Sequence, residues 1–125
     1  MREKRKILIV DDERGVRELL SENLKMQGYE TATAADGRAG LEEARRSRPN
    51  LILLDVIMPV MDGWKMLKEL RADEATKSIP VVMLTAKSDT EDLFKSEGLR
   101  VSDHFIKPID MDELLVFIKR YIDLK

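Results

Sequence analysis

Leu51-Ile52-Leu53-Leu54-Asp55-Val56-Ile57-Met58-Pro59, with Asp62-Gly63 close behind, is the stretch on which the fold turns. Four consecutive apolar residues read as a short strand of a covered sheet. Asp55 ends it. A carboxylate at the exit of a buried strand, with a chain-breaking loop after it, sits where parallel α/β sheets keep their chemistry. Outward from this stretch the same grammar repeats. Ile7-Leu8-Ile9-Val10 runs into Asp11-Asp12, Val81-Val82-Met83-Leu84 runs into Thr85, and His104-Phe105-Ile106 runs into Lys107-Pro108.

Between these runs lie helical patterns. Over 13–27, Val16, Leu19, Leu20 and Leu24 recur at helical spacing, Asp12 or Glu13 is placed to cap the helix, and Gly28 supplies a stop. Residues 29–34 form a weaker strand whose threonines and Glu30 suit a sheet edge. Asp36-Gly37 turns the chain into a second helix over 38–47, closed by Pro49. A third helix over 63–71 turns Leu67 and Leu70 inward, and a polar connection over 72–78 leads to the fourth strand. A short helix is expected over 88–97, ended by Gly98, and a last one over 111–123 that buries Leu115, Ile118 and Ile122. Five strands alternating with five helices predict a parallel sheet covered on both sides. Right-handed crossovers make a doubly wound α/β sheet the compact solution, and the expected order is 2-1-3-4-5, the flavodoxin-like arrangement known for one class of such sheets. Its crevice lies outside the carboxyl ends of strands 1 and 3.

At 125 residues the chain is read as a single domain over 1–125, long enough for a normal core. Its formal net charge of −2 lacks the basic excess of a DNA-binding surface, so no direct nucleic-acid binding is expected. The absence of cysteine rules out disulfides and thiolate metal sites and fits a cytoplasmic protein. No apolar stretch approaches the roughly 18 residues of a membrane span. The charged start runs directly into a strand, so no signal peptide is expected there.

Asp11, Asp12 and Asp55 lie at the ends of strands expected to be neighbours. Two carboxylates about 4 Å apart repel by roughly 4 kcal/mol at an effective dielectric near 20. Three cannot all stay ionised without a cation or a proton. Mg²⁺ suits them, since it takes carboxylates, a carbonyl and several waters in octahedral geometry and neutralises phosphoryl oxygens during transfer. Thr85 and Lys107 close the same circle with one hydroxyl donor and one point positive charge. These are the parts of a Mg²⁺-dependent phosphoryl-accepting site.

At these residues the chain resembles a receiver domain of the two-component response regulators, of the chemotaxis-regulator type. The likeness rests on Ile7-Leu8-Ile9-Val10-Asp11-Asp12-Glu13, on Asp55-Val56-Ile57-Met58-Pro59 with Asp62-Gly63, on Pro80-Val81-Val82-Met83-Leu84-Thr85-Ala86, and on Phe105-Ile106-Lys107-Pro108. The resemblance implies that Asp55 accepts a phosphoryl group from a sensor histidine kinase, a phosphotransfer protein or a small phosphodonor. It implies Mg²⁺ held by Asp12, Asp55 and the Ile57 carbonyl, with Asp11 acting through metal-bound water. Thr85 would bond the phosphoryl oxygen, Lys107 would pair with it, and the Lys107-Pro108 bond would be cis. The domain would catalyse only its own phosphorylation and dephosphorylation.

Family members usually carry an aromatic residue, most often tyrosine, three positions before the lysine. It swings inward when the threonine moves. Here the position is His104, with Phe105 beside it, so His104 is expected to act as the switch residue and to add pH sensitivity. The moving element is expected to be the loop over 86–90 with the helix after it. Output would pass to a downstream protein or domain through the face made by the fourth helix, fifth strand and last helix. There Phe117, read as exposed, replaces the basic residue of the winged-helix regulators, which speaks against their salt-bridged dimer. Three other readings compete. A nucleotide- or flavin-binding domain would find its phosphate repelled by Asp11-Asp12-Glu13. An aspartate-nucleophile phosphatase would want an acid where Ile57 stands. A non-phosphorylated receiver-like interaction module would leave the five site residues without a task.

Overall fold

The computed structural model of this chain describes residues 4–86 and 102–123. Five strands, β1 (Lys6–Val10), β2 (Glu30–Ala34), β3 (Leu51–Asp55), β4 (Val81–Thr85) and β5 (Asp103–Ile106), form one parallel sheet of order β2-β1-β3-β4-β5. Four helices lie among the described residues: α1 (Arg14–Met26), α2 (Gly37–Ser47), α3 (Gly63–Ala72) and α4 (Met111–Ile118), which continues as a π-helical segment, Lys119–Asp123. The helix expected over 88–97 falls outside the described residues.

Alternation along the central strands divides the core in two. Leu8, Val10, Ile52, Leu54, Val81 and Met83 face α2 and α3, where they meet Leu41, Ala44, Met66, Leu67 and Leu70. Ile7, Ile9, Leu51, Leu53, Val82 and Leu84 face α1 and α4, where they meet Leu20, Leu24, Leu114 and Ile118. Every residue of β3 and β4 is buried, as a strand covered on both faces requires. β2 carries only scattered burial and forms an edge. Gly28, at φ +95°, takes the left-handed turn that ends α1, with its N–H donating to the Lys25 carbonyl at 3.0 Å.

Several local expectations are corrected. Leu19 does not point inward; it is 52% exposed, while Leu20 and Leu24 carry the α1 stripe. In the last helix the buried positions are Leu114, Ile118 and Ile122, a strict i, i+4, i+8 row, with Leu115 only flanking it. Phe117 is half-buried, its ring edge-on to Phe105 at 5.6 Å and stacked on Tyr121 at 5.5 Å. Glu13 occupies the α1 N-cap without a side-chain bond; Asp11 Oδ1 instead accepts from the Glu13 N–H at 2.9 Å. The connection after α3 is not merely polar. Thr76 is fully buried and donates to the Leu70 carbonyl at 2.8 Å, and Arg71 Nη1 donates to the carbonyls of Lys77 and Ile79.

The row in the last helix gives a direct test. Leu114→Ala should cost about 2–5 kcal/mol in urea unfolding, and Leu115→Ala clearly less, because only the first leaves a sealed cavity.

Candidate functional site

The strand ends deliver the site. In a strand, every second side chain falls on the same side of the sheet. Ile9, Leu53 and Phe105 belong to the α1–α4 side of the core, and two residues on from each stand Asp11, Asp55 and Lys107. Ladder pairing reaches these positions: the Asp11 N–H donates to the Ala34 carbonyl at 3.1 Å and the Lys107 N–H to the Thr85 carbonyl at 2.7 Å. Parallel register therefore converts three distant stretches of sequence into one cluster.

Asp11, Asp12 and Asp55 each offer a carboxylate oxygen within 4.8 Å of the others. Asp11 and Asp55 are buried and Asp12 is exposed, so the trio opens to solvent on the Asp12 side. Lys107 Nζ lies 2.8 Å from Asp11 Oδ2, 3.4 Å from Asp55 Oδ1 and 3.5 Å from Glu13 Oε1. The Asp11 contact is a close ion pair rather than an aligned hydrogen bond. The Lys107-Pro108 peptide is cis.

Burial, and then the neighbouring Asp11 charge, push the Asp55 carboxyl up to about 7; Lys107 pulls the other way without cancelling them. Burial works to lower the Lys107 ammonium, but its close contact with Asp11 and the charges of Asp11, Asp55 and Glu13 outweigh it and leave the group raised.

Thr85 ends β4 fully buried, and its hydroxyl has no hydrogen-bond partner among the described residues. A buried hydroxyl without a partner is costly, and this one ends β4, the strand paired with β3. The donor set suits Mg²⁺: hard carboxylate oxygens gathered at one point, with an open side for water.

The loop after Asp55 is held tightly. The Gly63 N–H donates to the Val56 carbonyl at 2.7 Å, and a Cβ at Gly63 would run into the Asp55 carbonyl oxygen and the Val56 Cα. Only glycine lets α3 begin this close to the end of β3. Asp62 caps that helix through the Lys65 N–H at 2.8 Å. Ile57 stands in the loop, 58% exposed. His104 is exposed on β5, opposite Met83, with its Nδ1 3.9 Å from Asp103 Oδ1; Phe105 packs inward on Phe117. The loop expected to move lies, beyond Ala86, outside the described residues.

Two site residues escape sequence reasoning. Glu13 is the third carboxylate on Lys107. Arg17 donates from Nη1 to the Asp11 carbonyl at 2.8 Å. A signal for the second existed: Arg17, Leu20, Ser21 and Leu24 follow i, i+3, i+4, i+7, and the last three are buried.

Residues 7–119 match the family profile of the response regulator receiver domain, and the chain belongs to that family. It is 40% identical over 96% of its length to the sporulation initiation phosphotransferase F of Bacillus subtilis, covering 95% of that protein. It is 39% identical over 91% of its length to the transcriptional regulator RpaA of Synechocystis, covering 47% of it. Among solved structures it resembles the chemotaxis protein CheY4 of Vibrio cholerae (35% identity, TM-score 0.87, 94% of this chain and 98% of that one). It also resembles a receiver domain of a Pseudomonas aeruginosa sensor histidine kinase with a magnesium ion coordinated in its active-site cleft (30% identity, TM-score 0.87, 97% and 99% coverage).

The raised Asp55 pKa fixes a sign. The folded protein holds a proton there that the unfolded chain releases near its ordinary carboxylate value of about 3.9. That contribution to stability is full below the unfolded value and is lost as pH rises through about 7. In EDTA, wild type should therefore lose stability relative to Asp55→Asn between pH 5 and pH 8 in thermal unfolding, and the two curves should converge at low pH.

Proposed function

We propose that Asp55 is the phosphoryl acceptor of this receiver domain, and that a bound Mg²⁺ is required for the transfer. The observation that carries this reading is the gathering of Asp11, Asp12 and the Lys107 ammonium around one buried carboxylate, with an orphaned hydroxyl, Thr85, at the end of the neighbouring strand β4. Asp12, Asp55 and the Ile57 carbonyl would hold the metal, with Asp11 acting through metal-bound water, and the bound ion would neutralise charge on the phosphoryl oxygens.

An Asp55 oxygen attacks phosphorus in line, the bond to the donor nitrogen or oxygen breaks, and the electron pair leaves with the donor. Lys107 gives up part of its contact with Asp55 to pair with the new dianion, and Thr85 donates its hydroxyl to a phosphoryl oxygen. Water attacking the acyl phosphate at phosphorus returns the free carboxylate. The domain changes its own state rather than turning over a substrate.

The donor is a phosphohistidine of a sensor kinase or a phosphotransfer protein. A groove of about 510 Å³ bordered by Val16, Leu19, Pro108 and Ile109 lies against Lys107 and Glu13, and the exposed Leu19 gives a donor helix an apolar seat on the Lys107 side of the site. Movement of Thr85 is coupled to His104, and the signal leaves through the fifth strand and last helix to a downstream protein or output domain. Inverting a 1:99 equilibrium takes roughly 5.5 kcal/mol. Two or three charge-assisted bonds at about 1.5–3 kcal/mol each supply it. Among the described residues no helix is long and apolar enough to cross a membrane. Family membership over 7–119 supports reading residues 1–125 as one receiver domain that works in the cytoplasm. A second reading, that Asp55 passes its phosphoryl group on to another histidine, is favoured by the 40% identity over nearly the full length of a protein named a phosphotransferase.

Incubation with acetyl phosphate and Mg²⁺ should raise the intact mass by one phosphoryl group. Asp55→Asn and EDTA should each abolish the gain, and the His104 ring resonances should shift on phosphorylation. A wild-type chain that stays unmodified, with candidate kinases as well, would favour a non-phosphorylated interaction module.

A further inference from the structure

Asp11 is tied at every polar atom. Its N–H donates to the Ala34 carbonyl at 3.1 Å, its Oδ1 accepts from the Glu13 N–H at 2.9 Å, and its Oδ2 pairs with Lys107 at 2.8 Å. The fourth tie comes from outside the carboxylate cluster: Arg17 Nη1 donates to the Asp11 carbonyl at 2.8 Å. That carbonyl oxygen belongs to the peptide plane that also contains the Asp12 nitrogen and Cα. Holding the oxygen restrains that plane, and with it the position of the Asp12 Cα from which the side chain leaves the backbone. Asp12 is the exposed member of the acidic trio, the one least constrained by packing.

We propose that Arg17 is a positioning residue of the metal site: it clamps the Asp11–Asp12 peptide so that the Asp12 carboxylate meets Asp55 in the geometry a divalent cation needs. This rests on the reading of the trio as a Mg²⁺ site. Arg17 touches neither the metal nor the phosphoryl group. It acts as the outer contacts of metal sites generally do, where loss of one partner weakens metal binding about 10–100-fold.

The sign of the effect separates positioning from simple electrostatics. A guanidinium near an acidic cluster opposes cation binding, so if charge were the whole of its influence, removing Arg17 would tighten Mg²⁺. If Arg17 positions Asp12, removing it weakens Mg²⁺ despite the lost repulsion. Arg14 provides the comparison. It lies three residues earlier, fully exposed and paired with Glu18 at 2.8 Å, and makes no contact with Asp11 among the described residues. The remainder of the Arg17 guanidinium borders an open groove of about 450 Å³ shared with Ser21 and Thr33, so truncation leaves no sealed cavity.

The test is Mg²⁺ affinity, followed by amide NMR during titration with MgCl₂ at pH 7.5 and constant ionic strength. Arg17→Met should bind Mg²⁺ about tenfold more weakly than wild type. Arg17→Lys, which keeps one donor for the single carbonyl, should stay within about threefold. Arg14→Met should bind as wild type or slightly tighter. Thermal unfolding in EDTA verifies that each variant is folded, and Arg17→Gln, too short to span the contact, replaces the methionine variant should that one not fold. Binding by Arg17→Met equal to or tighter than wild type would overturn the proposal, as would an equal loss in Arg14→Met. A wild-type chain that shows no Mg²⁺ binding would instead overturn the reading of the site beneath it.

Discussion

Lys107 Nζ stands 2.8 Å from Asp11 and 3.4 Å from Asp55, and a third aspartate, Asp12, brings a carboxylate oxygen within 4.8 Å of theirs. One ammonium cannot balance three carboxylates, two of them buried, so the cluster must take up either a proton or a cation. The raised Asp55 pKa is the proton solution. The open Asp12 side, where water can complete an octahedron, is the cation solution. This unresolved negative charge makes the site responsive. A fully neutralised cluster would hold no affinity for a metal and no poised nucleophile.

The rest of the molecule can be understood as what keeps the repelling groups together. Two buried apolar layers hold β1, β3, β4 and β5 in a fixed parallel register, so their carboxyl ends cannot drift apart without opening the core. Gly63 lets α3 press against the Asp55 carbonyl, and Asp62 caps that helix. Arg17 ties down the opposite wall. The surrounding structure thus opposes, residue by residue, the several kcal/mol by which the carboxylates repel.

Much of this was legible in the sequence. Continuous apolar runs at 7–10, 51–54 and 81–84 mark strands buried on both faces, and a chemistry-bearing residue follows each. The three central strands and the acidic trio follow from that pattern, while the sheet order rests on the resemblance to the receiver family. Helix faces were read less well. Leu19 and Leu115 fit an apolar stripe as well as Leu20 and Leu114 do, and a one-residue rotation of 100° decides between them. Only packing against the sheet makes that decision. Phe117 was misread for a related reason: a helical wheel places it off the inward row, but Phe105 and Tyr121 come to meet it. Glu13 and Thr76 escape because polar residues in connections carry no periodic signature; Arg17 carries one, but what its guanidinium bonds is decided only by the folded backbone.

The central claim, that Asp55 exchanges a proton for a cation, is tested most directly by the carboxyl carbon resonance of Asp55 in NMR pH titrations with and without Mg²⁺. The account predicts a midpoint of about 7 in the metal-free protein, displaced strongly downward at saturating Mg²⁺. A midpoint near the ordinary carboxylate value of about 3.9 that Mg²⁺ leaves unmoved would contradict it.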